Sequence, residues 1–320
     1  MDSLAKMTQD QKVRTIFFGS GAFAVPALEA LRNLPQIDLV AVISAPDRPA
    51  GRGGRLSATP LAARARGLGF PLRQPERVRA DDSVAALIDL RPGLILLADY
   101  GQLIPRPLLE LPPHGFLNLH PSALPRWRGA SPINAAIAAG DLISAVSLIV
   151  LTERLDAGPI VANIPLALRS DDTAASFEAR AALAAAELVR RALPEWLSGR
   201  LRPIPQDEER ATICRPLRRS DGLLDPMRPA LDLERQVRAY QPWPGSYLEA
   251  PSGRLIVWRA RVAESEAGDR PGRLLSTSGG GLAFAVMGGR LSLEEVQLPG
   301  GRRMSATELR RGHPELEHSS

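Results

Sequence analysis

The run Thr15-Ile16-Phe17-Phe18 is apolar and unbroken, and it stops at Gly19-Ser20-Gly21 before a helix-like stretch over residues 25–34. A buried strand that turns through glycine directly into a helix is the opening unit of a parallel α/β sheet. Further strands are predicted at residues 38–43, 94–97, 116–119 and 146–151. Strands alternating with helical stretches call for helices on both faces, hence an α/β, Rossmann-like, doubly wound and mostly parallel sheet. The turn fits G-x-G-x-x-G only in part, because Ala24 occupies the last glycine position. A tight strand-to-helix turn accounts for it without a dinucleotide cofactor.

A long amphipathic helix is predicted over residues 173–197, with Asp172 or Thr173 as its cap, Ser198-Gly199 as its stop, and Phe177, Leu183, Leu188 and Leu193 toward the core. Arg202-Pro203-Ile204-Pro205-Gln206-Asp207 reads as a proline-rich connector. Beyond it the pattern changes to short strands near residues 247–250, 255–258, 282–286 and 291–293, separated by glycine-rich turns. That is the signature of a small β-barrel. The expected organisation is a catalytic domain over 12–200, a linker over 201–214 and a second domain over 215–312.

Composition narrows the class of function. The chain has 320 residues, enough for two domains, and no stretch approaches the ~20 apolar residues of a membrane span. The first 14 residues carry no apolar core and read as a lead-in rather than a signal peptide. One cysteine, Cys214, permits no internal disulfide, which suits a reducing cytoplasm. Of four histidines only His114 and His120 lie outside the polar tail, which effectively excludes a zinc site built on His and Cys. The net charge of +5 suggests an acidic partner, and eight arginines (48, 52, 55, 64, 66, 73, 77 and 79) cluster against one acid, Glu76. Arg64 and Arg66 read as a solvated helix face.

Candidate chemistry centres on residues 118–129. Asn118 and His120 are two apart at a strand end, so their side chains share one face at the edge of the sheet where such folds bind ligands. An amide beside an imidazole can hold a developing oxyanion. Asp156, before a glycine turn, can pair with His120, orient it and favour its charged form. Each residue has a plainer reading by itself: a turn asparagine, a satisfied partly buried histidine, an Asx-turn aspartate.

Together the segments resemble the folate-dependent formyltransferase family, in its branch acting on methionyl-tRNA. The family's asparagine–histidine–aspartate set falls on Asn118, His120 and Asp156, and its folate loop on Ser122-Ala123-Leu124-Pro125, followed by Arg128-Gly129. A second folate-pocket motif falls on Tyr100-Gly101-Gln102-Leu103-Ile104-Pro105, the opening turn on residues 19–26, the connector on Pro205-Gln206-Asp207 with Ala211-Thr212, and the entry to the second domain on residues 238–245. The resemblance runs from about Thr15 to Leu309. It implies an OB-like second domain and formyl transfer from 10-formyltetrahydrofolate to the α-amine of methionine on the initiator tRNA. It implies no metal, no membrane and a monomer. Ser122, Ala123, Leu124, Pro125, Tyr100, Gln102 and Leu103 would bind folate. Arg48, Arg52, Arg55 and Arg215 would bind tRNA, the first three on a glycine-rich basic loop suited to ordering on phosphates.

Three departures stand out. Ala123 replaces the usual leucine, Asp99 puts a charge where a small residue is usual, and Ile213-Cys214-Arg215 replaces an aromatic, small, lysine stretch. Two other functions remain open at this level: a folate enzyme acting on a small amine, and a tRNA-binding protein with an inactive catalytic domain.

Overall fold

Seven strands build the sheet of the first half of the chain: β1 (Val13–Gly19), β2 (Ile37–Ile43), β3 (Leu72–Arg73), β4 (Leu94–Ala98), β5 (Phe116–His120), β6 (Ile143–Val150) and β7 (Ile160–Ala167). They are seen in a computed structural model that describes residues 12–50, 54–250, 253–266 and 268–314. The order is β7-β6-β5-β4-β1-β2-β3. β1 pairs in parallel with β2 and β4, and β4 in parallel with β5. β6 and β7 run antiparallel at one edge.

Position in the sheet explains composition. β1 lies centrally, so Ile16, Phe17 and Phe18 are all fully buried although consecutive side chains face opposite ways. Each such burial stabilises by about 1.5–3 kcal/mol. β7 is an edge strand, alternates in burial and tolerates Pro165. Beneath one face Ile16, Phe18, Ile43, Ile95, Leu97 and Phe116 form a common core.

Helices α1 (Val25–Arg32), α2 (Pro60–Gly67), α3 (Asp81–Ile88), α4 (Arg106–Leu109), α5 (Pro132–Ala139) and α6 (Ala174–Leu197) follow in chain order. In α2, Arg64 pairs with Glu29 at 2.7 Å and Arg66 with Asp47 at 2.9 Å, so both lie on a solvated face. The Thr173 hydroxyl accepts the Ser176 N–H at 3.2 Å near the start of α6. Phe177, Leu188 and Leu193 are buried, but Leu183 is 65% exposed, against the expectation. Six residues beyond Phe177 the helix has turned through about 240°, which carries Leu183 to the far side.

The chain divides into two compact units, residues 1–129, 143–167 and 178–213 in one, and residues 130–142, 168–177 and 214–320 in the other. The connector residues 201–213 therefore belong to the first unit. There Ile204 and Ile160 exchange backbone hydrogen bonds of 2.8 Å.

The second unit contains α7 (Ala230–Ala239), α8 (Ala306–Gly312) and six further strands: β8 (Ser246–Ala250), β9 (Gly253–Ala263), β10 (Leu274–Ser276), β11 (Leu282–Val286), β12 (Gly289–Gln297) and β13 (Met304–Ser305). They form one antiparallel curled sheet in the order β8-β9-β12-β11-β10, with β13 on β12. Register shifts around Arg259 in the long strand β9 bend it, as bulges do. Leu233 and Val237 of α7 pack with Leu255, Val257, Leu291 and Val296 in a single core.

Candidate active site

In the first unit the chain leaves β1 for β2 on one side and later returns to β4 on the other. This reversal opens a crevice at the carboxyl ends of the strands, the usual ligand site of such sheets. Asn118 and His120 end β5 nearby, and the loop between β6 and β7 brings Asp156 to them.

The three side chains meet. Asn118 Nδ2 donates to Asp156 Oδ1 at 3.2 Å, and His120 Nδ1 lies 3.6 Å from Asp156 Oδ2. All three residues are buried. Asp156 Oδ2 also accepts the Gly129 N–H at 2.9 Å, so each carboxylate oxygen has a fixed donor. Asp156 sits at φ +48°, a left-handed conformation that is uncommon away from glycine and needs support from its surroundings. His120 Nε2 lies 3.0 Å from the Trp127 carbonyl. A carbonyl can only accept, so Nε2 is the donor in this contact.

The segment after His120 is tied down residue by residue. Ser122 is fully buried, its hydroxyl donates to the Arg126 carbonyl at 2.8 Å, and its own carbonyl accepts from Ser147 Oγ at 2.7 Å. Leu124 is buried and Pro125 follows it. The Trp127 N–H donates to Thr212 Oγ1 at 2.9 Å and the Arg128 N–H to the Thr212 carbonyl at 2.9 Å. Arg128 is buried, and its Nη atoms bond both oxygens of Glu208 at 3.1 and 3.0 Å. Hydrogen bonds from Arg128 and then Arg154 pull the Glu208 carboxyl down to about 2.

The Tyr100 loop follows β4. Tyr100 meets Phe18 edge to face at 5.2 Å, and burial pushes its phenol up to about 12. The Tyr100 hydroxyl is buried with no hydrogen-bond partner among the described residues. The Gln102 amide is committed to backbone, accepting from Val78 N–H at 2.8 Å and donating to the Pro75 carbonyl at 3.3 Å. Leu103 is exposed. A cavity of about 450 Å³ opens here, lined by Tyr100, Gln102, Leu103, Arg48, Arg77 and Arg79 and not by Asn118, His120 or Asp156.

Asp99 lies at the switch point, open to solvent yet crowded by protein. Desolvation raises its carboxyl, against a hydrogen bond from Gly21 N–H. A β-carbon on Gly21 would fall 1.8 Å from Asp99 Oδ2, which explains the glycine. Glu178 is raised too, by desolvation and then by Asp99, against the Phe23 N–H. The turn after β1 thus already carries the chain's own carboxylates.

The candidate tRNA residues are dispersed. Arg48–Ala50 and Arg55–Ser57 form a small antiparallel hairpin, with Arg48 paired to Glu76 at 2.6 Å. Arg52 lies outside the described residues. Arg215, in the second unit, is held by both oxygens of Asp221 at 2.7 Å.

Residues 201–214, a connector by sequence, thus supply Gln206, Glu208 and Thr212 to the surroundings of the cluster. A glutamine, a glutamate and a threonine in a proline-rich stretch carry no periodic signal, and only the fold sets them against residues 127, 128 and 156.

Comparison with known proteins decides the family. The formyl transferase model matches residues 11–193, and that of the formyl transferase C-terminal domain matches residues 216–314. The chain belongs to the formyl transferase family. Similar proteins include the methionyl-tRNA formyltransferase of Roseiflexus castenholzii, 40% identical over 94% of this chain and 96% of that one. That of Myxococcus xanthus is 39% identical over 94% and 95%. HypX of Aquifex aeolicus, solved with tetrahydrofolic acid, aligns with a TM-score of 0.63 at 18% identity, over 96% of this chain and 48% of that one. This formyl transferase spans about half the length of HypX. The N-formyltransferase of Helicobacter canadensis aligns with a TM-score of 0.64 at 14% identity, over 88% and 98%. At such identities the solved structures speak for the fold alone.

Proposed function

We propose that this formyl transferase moves the formyl group of 10-formyltetrahydrofolate to the α-amine of methionine on the charged initiator tRNA, preparing that tRNA for translation initiation. The observation that carries this reading is the buried Asn118–His120–Asp156 cluster in a chain that matches methionyl-tRNA formyltransferases along nearly their whole length.

The amine attacks the formyl carbon, the carbonyl oxygen becomes negative, and the tetrahedral intermediate collapses with loss of the folate nitrogen. One Asn118 amide hydrogen is spent on Asp156, and the second is the donor for that oxygen. His120, oriented by Asp156, stands beside that oxygen, and Asp156 relays the proton released by the attacking amine through water to the leaving nitrogen, which returns the site to its starting state. The residues supply this chemistry without a metal.

Folate is placed against Ser122, Ala123, Leu124 and Pro125 on one side and Tyr100, Gln102 and Leu103 on the other. An apolar wall with a few fixed polar atoms suits a flat pteridine, and the unpartnered Tyr100 hydroxyl fits a polar ring edge. Arg48 and Arg55, with Arg52 between them in sequence and Arg215 in the second domain (residues 215–312), are assigned to tRNA phosphates. The enzyme acts as a monomer in the cytoplasm.

The test is formylation of charged initiator tRNA by the purified protein with 10-formyltetrahydrofolate, beside free methionine amide and an amino-sugar nucleotide as acceptors. Formyl-methionyl-tRNA as the sole rapid product is expected. Equal or faster formylation of a small amine would overturn the reading.

A further inference from the structure

We infer that Gln206 is a positioning residue that sets the Asp156 carboxylate against Asn118 and His120, a role that rests on the formyl-transfer reading above. Its Nε2 donates to the Asp156 carbonyl at 2.8 Å and to the Gly158 carbonyl at 2.7 Å. Its Oε1 accepts from Arg128 Nε at 3.0 Å. One amide therefore joins the loop that carries Asp156 to the segment that carries Arg128 and Gly129.

The joint closes a ring. From the Asp156 carbonyl it passes through the Gln206 amide to Arg128 and on to the Gly129 N–H. That N–H holds Asp156 Oδ2 at 2.9 Å. Asp156 is thus gripped at its carbonyl and at its carboxylate by one connected set of atoms. Such a grip is needed, because Asp156 is held at φ +48° and short peptide loops relax from that region. On the far side the loop is stopped by packing, since a β-carbon at Gly158 would lie 1.7 Å from the Val150 carbonyl. Gln206 itself is anchored by the Ile204–Ile160 backbone pair two residues earlier and by Thr212 six residues later.

Gln206 touches no reacting atom. Its effect runs through the placement of Asp156, and misplacement of a catalytic group by about 1 Å costs on the order of 100-fold in rate. Glutamate at this position keeps the shape but, when ionised, cannot donate to either carbonyl. Of the charged residues nearby, Arg128 donates to Gln206 Oε1, Asp156 offers its backbone carbonyl, and Glu208 bonds Arg128 and Arg154.

The experiment compares wild type, Gln206→Ala and Gln206→Glu in formylation of charged initiator tRNA across pH 5.5–8.5, the assay range, with folding checked by circular dichroism. We expect kcat to fall roughly 10- to 100-fold in both variants, with KM for tRNA and folate changing less than about threefold. Turnover within about twofold of wild type in both variants would overturn the inference. A crystal structure of Gln206→Ala reads the same point without activity. The Asp156 carboxylate should move away from Asn118, and an unmoved carboxylate counts against the role even if the acceptor proves to be something other than tRNA.

Discussion

The Asn118 amide donates to Asp156 Oδ1 at 3.2 Å, joining a strand end to a loop residue 38 positions later. Truncating either partner removes more than a contact, since the atom left behind is buried and has lost this hydrogen-bond partner. Asn118→Ala, His120→Ala and Asp156→Ala are each expected to lower kcat by about 100-fold or more, the scale of a lost oxyanion donor or proton acceptor. Single-turnover formylation with folding verified by circular dichroism checks this, and near-normal turnover in His120→Ala would remove it from the mechanism.

Asp99 and Glu178 are both raised above the ordinary carboxylate range. Groups raised in the folded state contribute stability that is complete below their unfolded values and is lost as pH rises through the folded ones. Asp99→Asn keeps an acceptor for the Gly21 N–H and removes the repulsion. Its Tm should exceed that of wild type at pH 7.5 and converge with it below pH 4, both chosen as measuring points. A constant difference across pH would show that the pair does not titrate in this way.

Glu208 behaves with the opposite sign. Its carboxyl is drawn down to about 2, chiefly by hydrogen bonds from Arg128. The stability it brings is present above the ordinary glutamate value and is lost as pH falls through about 2. Glu208→Gln should therefore lose stability at neutral pH and show a shallower acid limb, read from Tm between pH 2 and pH 7. An unchanged acid limb would mean that Arg128 finds another partner.

Arg77 and Arg79 share a cavity wall with Arg48. If tRNA phosphates lie along it, the double variant Arg77→Ala/Arg79→Ala should raise KM for charged tRNA and lower the salt slope by about 0.7–0.9 per lost contact. Filter binding at several salt concentrations measures the slope, and a slope equal to wild type would place the tRNA elsewhere.

The two faces of α6 predict a stability contrast. Phe177→Ala should cost about 3–5 kcal/mol. Leu183→Ala, on the exposed side, should stay within about 0.5 kcal/mol. Urea unfolding of both variants measures the difference, and equal costs would put Leu183 in contact with a core.

Much of the architecture was readable before any coordinates. The run through Phe17 and Phe18 into Gly19 announced an opening strand and its turn, and the sheet order makes it central, where a strand buried on both faces must be apolar at every position. The change of pattern after residue 207 announced the antiparallel second unit. Asn118 and His120 were legible as a pair because strand periodicity is local. Leu183 was misread because an apolar residue states a preference and not a direction, and the helical phase relative to Phe177 sets the direction.

By itself the sequence determined the α/β class with an antiparallel second part and the family, and it marked Asn118, His120 and Asp156 as candidates. Tertiary structure alone decided that these three side chains meet. It spent His120 Nε2 on the Trp127 carbonyl and left Nδ1 for Asp156, it seated Asp99 against Gly21, and it turned residues 204–212 from a connector into the support of the Asp156 loop. The physical reason is range. Propensity and periodicity act over a few residues, whereas these hydrogen bonds span 7 to 85 positions and form only once hydrophobic burial has brought the segments together.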